Sequence, residues 1–317
     1  MENKKQYSKG WPQSLFYTMG ENIMNILITG AMGFIGKHLR SKLNTEHNGS
    51  LTLYDLALGD DIRNLHDLDK AFDASQCTTV IHLAARAGVR RGNDYPHEYL
   101  TTNIEGTWNI GKMCEKYGCR LISFSSSSVF GDAAPPIVEH APKNPVNLYG
   151  MTKLMGEHIV NRLTVPTTII RPFTVYGKEG RRDQVFYKWL TQYQSGKPIT
   201  VYGNGSSMRG YTYVDDLVQA VCNLALMETW PWEHEHFNLG GNERISLSTV
   251  MKIFQEIIPD AAFEFLPQQD CDVDASFANT EKAAFFLNWD PPRTFREHLI
   301  DIILSEIGKM PETNQLN

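Results

Sequence analysis

Over roughly the first 170 residues, short β-branched runs alternate with longer stretches whose apolar residues recur at helical spacing. The runs are NILIT (25–29), LTLYD (51–55), TTVIHLA (78–84), RLISFSS (120–126) and PTTIIRP (166–172). Between the last two, Leu148, Met151, Met155 and Ile159 fall on one face of a helical segment. This strand and helix alternation predicts a parallel sheet with helices on both faces. After about residue 177 the rhythm changes. DQVFYKWLTQYQSG, VDDLVQAVCNLALM, SLSTVMKIFQEII and FREHLIDIILSEI read as helices, and ITVYG and HFNLGG as short strands.

The expected architecture is α/β: a doubly wound parallel sheet of the Rossmann type over 24–177, then a smaller mixed α/β lobe over 178–317. The boundary is expected to be interleaved, because the sheet can borrow a strand from the later half. Residues 1–23 read as a peripheral extension or a consequence of start-site choice. They are polar and broken by Pro and Gly, without the apolar stretch of a signal peptide or membrane span.

Composition narrows the class. With 317 residues, 42% hydrophobic and 21% charged, the chain sits near the globular average, which argues against disordered and fibrous classes. The net charge is −6 and the basic residues are scattered, so a nucleic-acid partner is not expected. The odd cysteine count (Cys77, Cys114, Cys119, Cys222, Cys271) with no CxxC spacing points to reduced thiols in a cytoplasm. The scattered His47, His66, His234 and His236 suggest no metal site.

The first candidate for chemistry is TGAMGFIGKHL, where Gly30, Gly33 and Gly36 stand three apart between a strand and a helix. Glycines there permit a tight turn and let the backbone approach a pyrophosphate, and the helix N-terminus offers free N–H groups. Asp55, at the end of the next strand and nineteen residues after Gly36, can hydrogen-bond a ribose diol and repel a 2′-phosphate, which selects NAD over NADP. The second candidate is SSSSVFG followed by YGMTK. Tyr149 and Lys153 are one helical turn apart and project from one face. Bringing a phenol from a pKa near 10 to about 7 takes roughly 4 kcal/mol. An ammonium at about 4 Å in an effective dielectric near 20 supplies that much, so Tyr149 is a candidate general base. The serines lie at the carboxyl edge of the sheet, where open α/β folds bind ligands.

In order along the chain stand the glycine turn, GDDIRN, HLAARAGVR, SSSSVFG, YGMTK, RPFTVYG and MRGYTYVDDLV. This set resembles the extended short-chain dehydrogenase/reductase family, specifically its nucleotide-sugar epimerases and dehydratases, from Asn25 to about Leu304. Within it the chain is most similar to UDP-glucuronate 4-epimerases. The resemblance implies an NAD-dependent inversion at C4 of a nucleotide sugar through a transient 4-keto intermediate. Tyr149 would be the base, Lys153 its electrostatic partner and ribose ligand, and Ser126 the hydroxyl bridging Tyr149 and the sugar O4. It further implies Phe34, Ile35, Asp61, Ile62, Leu83, Ala84, Ala85 and Pro172 around the cofactor. Ser127 and Thr174 would sit against the hexose C5 substituent, Arg181 and Arg209 near the nucleotide diphosphate, and Val201 and Tyr202 near the base. It also implies a homodimer built through helices at about 97–117 and 148–163.

Some positions depart from the family pattern. Gly210 follows Arg209 where Asp is usual, so something else must orient that arginine. Arg86 and Arg182 add charge near the expected sugar pocket; an acidic substrate group or solvated surface arginines would each account for them. Ser127 and Ser128 stand where a 4,6-dehydratase carries an Asp-Glu pair, which disfavours dehydration. Thr174 stands where decarboxylases usually carry Asn. The alternatives are a UDP-hexose or N-acetylhexosamine 4-epimerase, a UDP-glucuronate decarboxylase or 3,5-epimerase, and an NAD-binding sensor or scaffold without catalysis.

Overall fold

The computed structural model describes residues 24–89, 91–268 and 273–308; the expectations for residues 1–23 and for Cys271 lie outside them. The five early runs form β1 (Ile26–Thr29), β2 (Leu51–Tyr54), β3 (Thr79–His82), β4 (Arg120–Phe124) and β5 (Thr167–Pro172). A sixth strand, β6 (His234–Leu239), comes from the later half of the chain. They make one sheet in the order β2-β1-β3-β4-β5-β6, with every pairing parallel. The chain steps from β1 to β2 on one side and then crosses to β3 on the other, so the connections diverge at the carboxyl ends of β1 and β3. Such a switch point leaves a crevice for ligands.

Successive side chains of a strand point to opposite faces, and the two cores follow that alternation. On one face, Ile26, Ile28, Ile81, Ile122 and Ile170 pack with Leu39 and Leu43 of α1 (Phe34–Glu46) and Leu217, Val218 and Val221 of the helix Val214–Ala225. On the other, Leu27, Val80, Leu121 and Ile169 meet Leu68 and Phe72 of the helix Leu65–Ser75 and Ile110 and Cys114 of the helix Gly106–Tyr117. Each such side chain, fully buried, contributes about 1.5–3 kcal/mol relative to exposure. A second core gathers Phe186, Trp189, Ile199, Val250, Phe254, Leu299 and Ile303 from three later helices and a two-stranded parallel ribbon, Ile199–Tyr202 with Phe263–Leu266.

One amphipathic pattern is oriented opposite to the usual rule. On the helix Leu148–Val160 the inward residues are Gly150, Thr152, Lys153, Gly156, Glu157 and Val160, whereas Met151 and Met155 are 52% and 48% exposed. The inner face carries polar groups, and Gly150 passes so near the backbone that an added Cβ would lie 2.5 Å from Ser128 O. The apolar stripe is left outside.

Candidate active site

The glycine turn is shaped by contact. Gly30 adopts φ +71°, and a Cβ there would stand 2.6 Å from Ala84 N; at Gly36 it would stand 2.2 Å from Gly30 O. Both close approaches bind the turn to the β3 loop and α1 to the turn. A Cβ on Gly33 would meet only Gly30 O, at 3.3 Å, which leaves that side open. Gly33 is the N-cap of α1 and no side chain caps the helix, so the amides of Phe34, Ile35 and Gly36 have no intrahelical partner. Asp55 accepts from Met32 N at 2.9 Å and from Ala57 N at 2.8 Å, which fixes the carboxylate against the turn. An uncapped helix start, an open glycine and a clamped acid fit a dinucleotide with free ribose hydroxyls. We expect Gly36→Ala to cost about 1–3 kcal/mol of stability through overpacking and to leave the purified protein without nucleotide, as measured by release on denaturation.

Asp61 and Ile62 follow β2. Arg63 grips Asp61 through Nε, at 2.9 and 3.0 Å from its two oxygens, and through Nη2 at 2.5 Å, and this hydrogen bonding holds the Asp61 carboxyl below its ordinary pKa. Ile62 is buried and lies against Gly106, where a Cβ would come within 2.4 Å of its Cδ1.

Leu83, Ala84 and Ala85 run along the carboxyl end of β3, held by a chain of buried polar groups that sequence reasoning missed. Thr107 donates to Asn103 O at 2.7 Å, so His82 Nε2–H donates to Thr107 Oγ1 at 3.1 Å and Nδ1 accepts from Thr29 Oγ1 at 2.7 Å. Burial, with the charge of Lys153 adding to it, pushes His82 down to about 3, so the ring is neutral as this chain requires. Thr29 Oγ1 also accepts from Ala84 N at 3.3 Å. Asn103 sits in a π-helical segment, Thr101–Glu105; it accepts from Arg86 N at 2.7 Å and donates to Arg86 O and Thr152 Oγ1, both at 3.0 Å. Such π segments frequently mark functional sites. The available signal was a Thr and a His inside otherwise apolar strands.

Ser126 is buried at the end of β4 and caps the short 3-10 turn Ser127–Phe130, accepting from Ser128 N at 3.2 Å. Tyr149 is half-buried, hydrogen-bonded to Ser126 and within the field of Arg181. The expected lowering of its pKa is not found. Burial pushes the phenol above its ordinary value, and the Ser126 hydrogen bond and the Arg181 charge only moderate this. Lys153 is directed elsewhere: its Nζ donates to Phe124 O at 2.7 Å, and burial pushes it down to about 8 against the pull of Glu157. In the protein alone, therefore, desolvation outweighs the Arg181 charge and the Ser126 hydrogen bond, and the phenol keeps its proton.

Arg181 forms a two-point pair with Asp183, Nε to Oδ1 at 2.9 Å and Nη2 to Oδ2. Its Nη2 would lie 3.1 Å from a Cβ on Gly88. Tyr99, packed edge-on to Tyr149 at 6.3 Å, donates to Ala87 O and Gly88 O at 2.7 and 2.8 Å. Arg181 thus lies beside Gly88, and its charge reaches the phenol of Tyr149. Arg209 donates to Val273 O at 2.8 Å, Met208 O at 2.9 Å and Asp274 O at 3.3 Å. Three carbonyls orient it where an Asp was expected to. Gly210 is explained as well, since a Cβ there would meet Phe277 Cβ at 2.9 Å.

Ser127 and Thr174 are partly exposed on neighbouring loops, joined by Phe130 and Phe173, whose stacked rings are 6.5 Å apart. Pro172 ends β5 opposite Leu239. Val201 is buried in the second core, so its side chain is unavailable to a ligand, while Tyr202 is partly exposed with Lys188 Nζ 4.9 Å from its ring centre. The charge expected from Arg86 and Arg182 is compensated: Arg86 pairs with Glu98 at 3.0 Å and Arg182, 73% exposed, with Glu306 at 3.3 Å.

Against known proteins, residues 26–240 match the model of the NAD dependent epimerase/dehydratase family. A UDP-glucuronate 4-epimerase of Thermodesulfobacterium geofontis is 31% identical over 306 residues, covering 86% of this chain and 93% of that protein. Among solved structures, a UDP-glucuronic acid 4-epimerase from Bacillus cereus, in complex with UDP-glucuronic acid and NAD, aligns with TM-score 0.79 and 30% identity over 89% of this chain and all of that one. A UDP-glucose 4-epimerase from Thermotoga maritima aligns with TM-score 0.80 and 26% identity over 90% of this chain and all of that one. With its sheet, glycine turn and Ser-Tyr-Lys arrangement accounted for, the chain belongs to the NAD dependent epimerase/dehydratase family.

Proposed function

We propose that this protein is an NAD-dependent 4-epimerase of a UDP-hexuronate, interconverting UDP-glucuronate and UDP-galacturonate. The observation that carries the hexuronate is the placing of Arg181 beside Gly88, where its charge reaches the phenol of Tyr149, because a carboxylate on C5 lies next to the reacting C4 and suits a forked donor. The named relatives support the same reading. NAD, held by the glycine turn, the amides of Phe34 and Ile35, Asp55 and Lys153, supplies the hydride acceptor. Tyr149 would take the O4 proton while C4 gives up its hydrogen with the bonding pair, leaving a ketone at C4; the hydride then returns to the opposite face of C4 and the Tyr149 proton to O4, so no net oxidation results. Ser126 orients the hydroxyl, and Arg209 fixes the diphosphate while the sugar turns.

A neutral UDP-hexose is the second reading, favoured by Asp183, which already compensates Arg181. A panel of UDP-, dTDP- and GDP-sugars separated by chromatography decides between them: turnover of UDP-glucuronate supports the first, and turnover of UDP-glucose alone overturns it. Losing a charge-assisted contact costs about 1.5–3 kcal/mol. Arg181→Ala is therefore expected to raise KM for UDP-glucuronate on the order of 10- to 100-fold, with bound NAD unchanged.

We also propose a cytoplasmic homodimer. Among the described residues no helix is long and apolar enough to cross a membrane, and Cys77, Cys114, Cys119 and Cys222 are free and buried. Leu100 (44%), Trp108 (49%), Met151 and Met155 are exposed around a groove lined by Leu100, Ile104, Trp108 and Ile159. A second copy laying the same two helices there completes a four-helix bundle. Light scattering should give twice the chain mass, and a monomer mass for the double variant Trp108→Glu, Met155→Glu; a monomeric wild type would remove the dimer.

A further inference from the structure

His38 lies on α1, one turn beyond the glycine turn, and takes no part in the chemistry above. Its Nδ1 is 2.6 Å from Asp215 Oδ1 and its Nε2 is 3.0 Å from Lys178 O. A carboxylate and a carbonyl can only accept, and a neutral imidazole carries one N–H. Only the imidazolium makes both bonds. The two partners sit on different elements: Asp215 in the first turn of the helix Val214–Ala225, and Lys178 in the loop that continues to Arg181. Elsewhere this loop is held by the Tyr187 hydroxyl, which accepts from Gly180 N at 3.1 Å and donates to Gly177 O at 2.7 Å. Between these anchors Glu179 adopts φ +56°, a region disfavoured for side-chain-bearing residues, so the shape of the loop depends on its contacts.

We propose that His38 is a positioning residue, whose charged form pins the loop carrying Arg181 to the dinucleotide-binding helix, so that sugar binding weakens when the ring loses its proton.

The groups facing His38 agree in sign. Asp215 and Glu179 both favour the imidazolium against the burial of the ring, and its pKa is raised from 6.5. Lys37, on α1, reaches Glu179 at 3.8 Å. Behind Asp215 stand Tyr213 and His298, and His298 is pushed down to about 4, mainly by burial, so it does not compete for the carboxylate as a cation. With the folded pKa raised, the tether is complete below about 6.5 and is lost as pH rises through the higher folded value.

The consequence for substrate rests on the reading of Arg181 as a sugar ligand, whereas the tether can be measured without it. In the full chain, the ring protons of His38, assigned by their loss in His38→Gln, are expected to titrate above 6.5 by nuclear magnetic resonance, and lower in Asp215→Asn. In steady-state assays with UDP-glucuronate, the wild-type KM should rise on the order of tenfold across that titration with kcat little changed. In His38→Gln it should be high and flat, with bound NAD retained. Titration of His38 at or below 6.5, or a His38→Gln variant that keeps the wild-type dependence of KM on pH, overturns the proposal. A high titration in a protein that turns over no sugar upholds the tether and overturns only the reaction on which its consequence rests.

Discussion

Tyr149→Phe is expected to lower kcat by about three orders of magnitude while leaving substrate KM and bound NAD within a few-fold of wild type. The phenol is the group on which Ser126 and the charge of Arg181 act, and general acid–base catalysis by one positioned side chain is worth about 10²–10⁴ in rate. A thousandfold corresponds to roughly 4 kcal/mol of transition-state stabilisation. Binding should persist because the groups proposed to hold the dinucleotide, the glycine turn, Asp55 and Lys153, are left in place. The raised pKa of Tyr149 adds a second expectation. In nucleotide-free protein, ultraviolet difference titration of wild type against Tyr149→Phe should place the phenol above 10, and it should move down when NAD brings a positive ring into the site. A phenol whose titration ignores the cofactor would leave it with its proton at neutral pH, unable to act as base.

Arg171→Met is expected to destabilise the fold by about 3–5 kcal/mol in denaturant unfolding, the cost of leaving one member of a buried ion pair alone. Arg171 is 1% exposed and Glu157 3%. The guanidinium bonds both carboxylate oxygens, at 2.7 and 2.8 Å, and Ser125 Oγ donates to the same carboxylate at 2.6 Å. Removing both partners, as Arg171→Met with Glu157→Leu, should restore much of the loss, since the apolar replacement leaves no charge to solvate. The pair also has an acid limit. Burial pushes Glu157 up, but the Arg171 hydrogen bond and charge prevail and its folded pKa is lowered. Its contribution is therefore present above an unfolded value near 4.3 and disappears as pH falls through the lower folded one. The double variant should lose this acid sensitivity. Because Glu157 also holds up the pKa of Lys153, the double variant should lose activity even where it regains stability.

Much of the fold was legible because parallel strands buried on both faces read as continuous apolar runs, and all five early runs became strands in one sheet. The glycine turn was legible for a related reason: the contacts that forbid a Cβ at Gly30 and Gly36 leave their mark in the residue type itself. The orientation of the Tyr149 helix was not. Its apolar stripe pointed to the core by ordinary rules, yet the sheet-facing side holds Lys153 and Glu157, because the site needs charged groups there and supplies Arg171 from β5 to compensate. Nor could spacing reveal that Lys153 would donate to Phe124 O, or that the phenol would answer to burial, Ser126 and Arg181. Arg86 and Arg182 read as surplus charge because their partners, Glu98 and Glu306, are brought in by the fold over twelve and 124 residues. Arg63 and Asn103 escaped notice for the same reason: each acts on backbone or carboxylate groups that only the folded chain presents.

In the proposed reaction C4 of the sugar loses its hydrogen and recovers the same one inverted, and isotopic labelling tests this directly. Incubated with UDP-glucuronate carrying deuterium at C4, in ordinary water, the purified holoenzyme should form UDP-galacturonate with the deuterium still at C4 and no solvent hydrogen in the ring. Product in which the C4 label has exchanged with water, or the absence of any inverted product from this sugar while another nucleotide sugar is consumed, would contradict it.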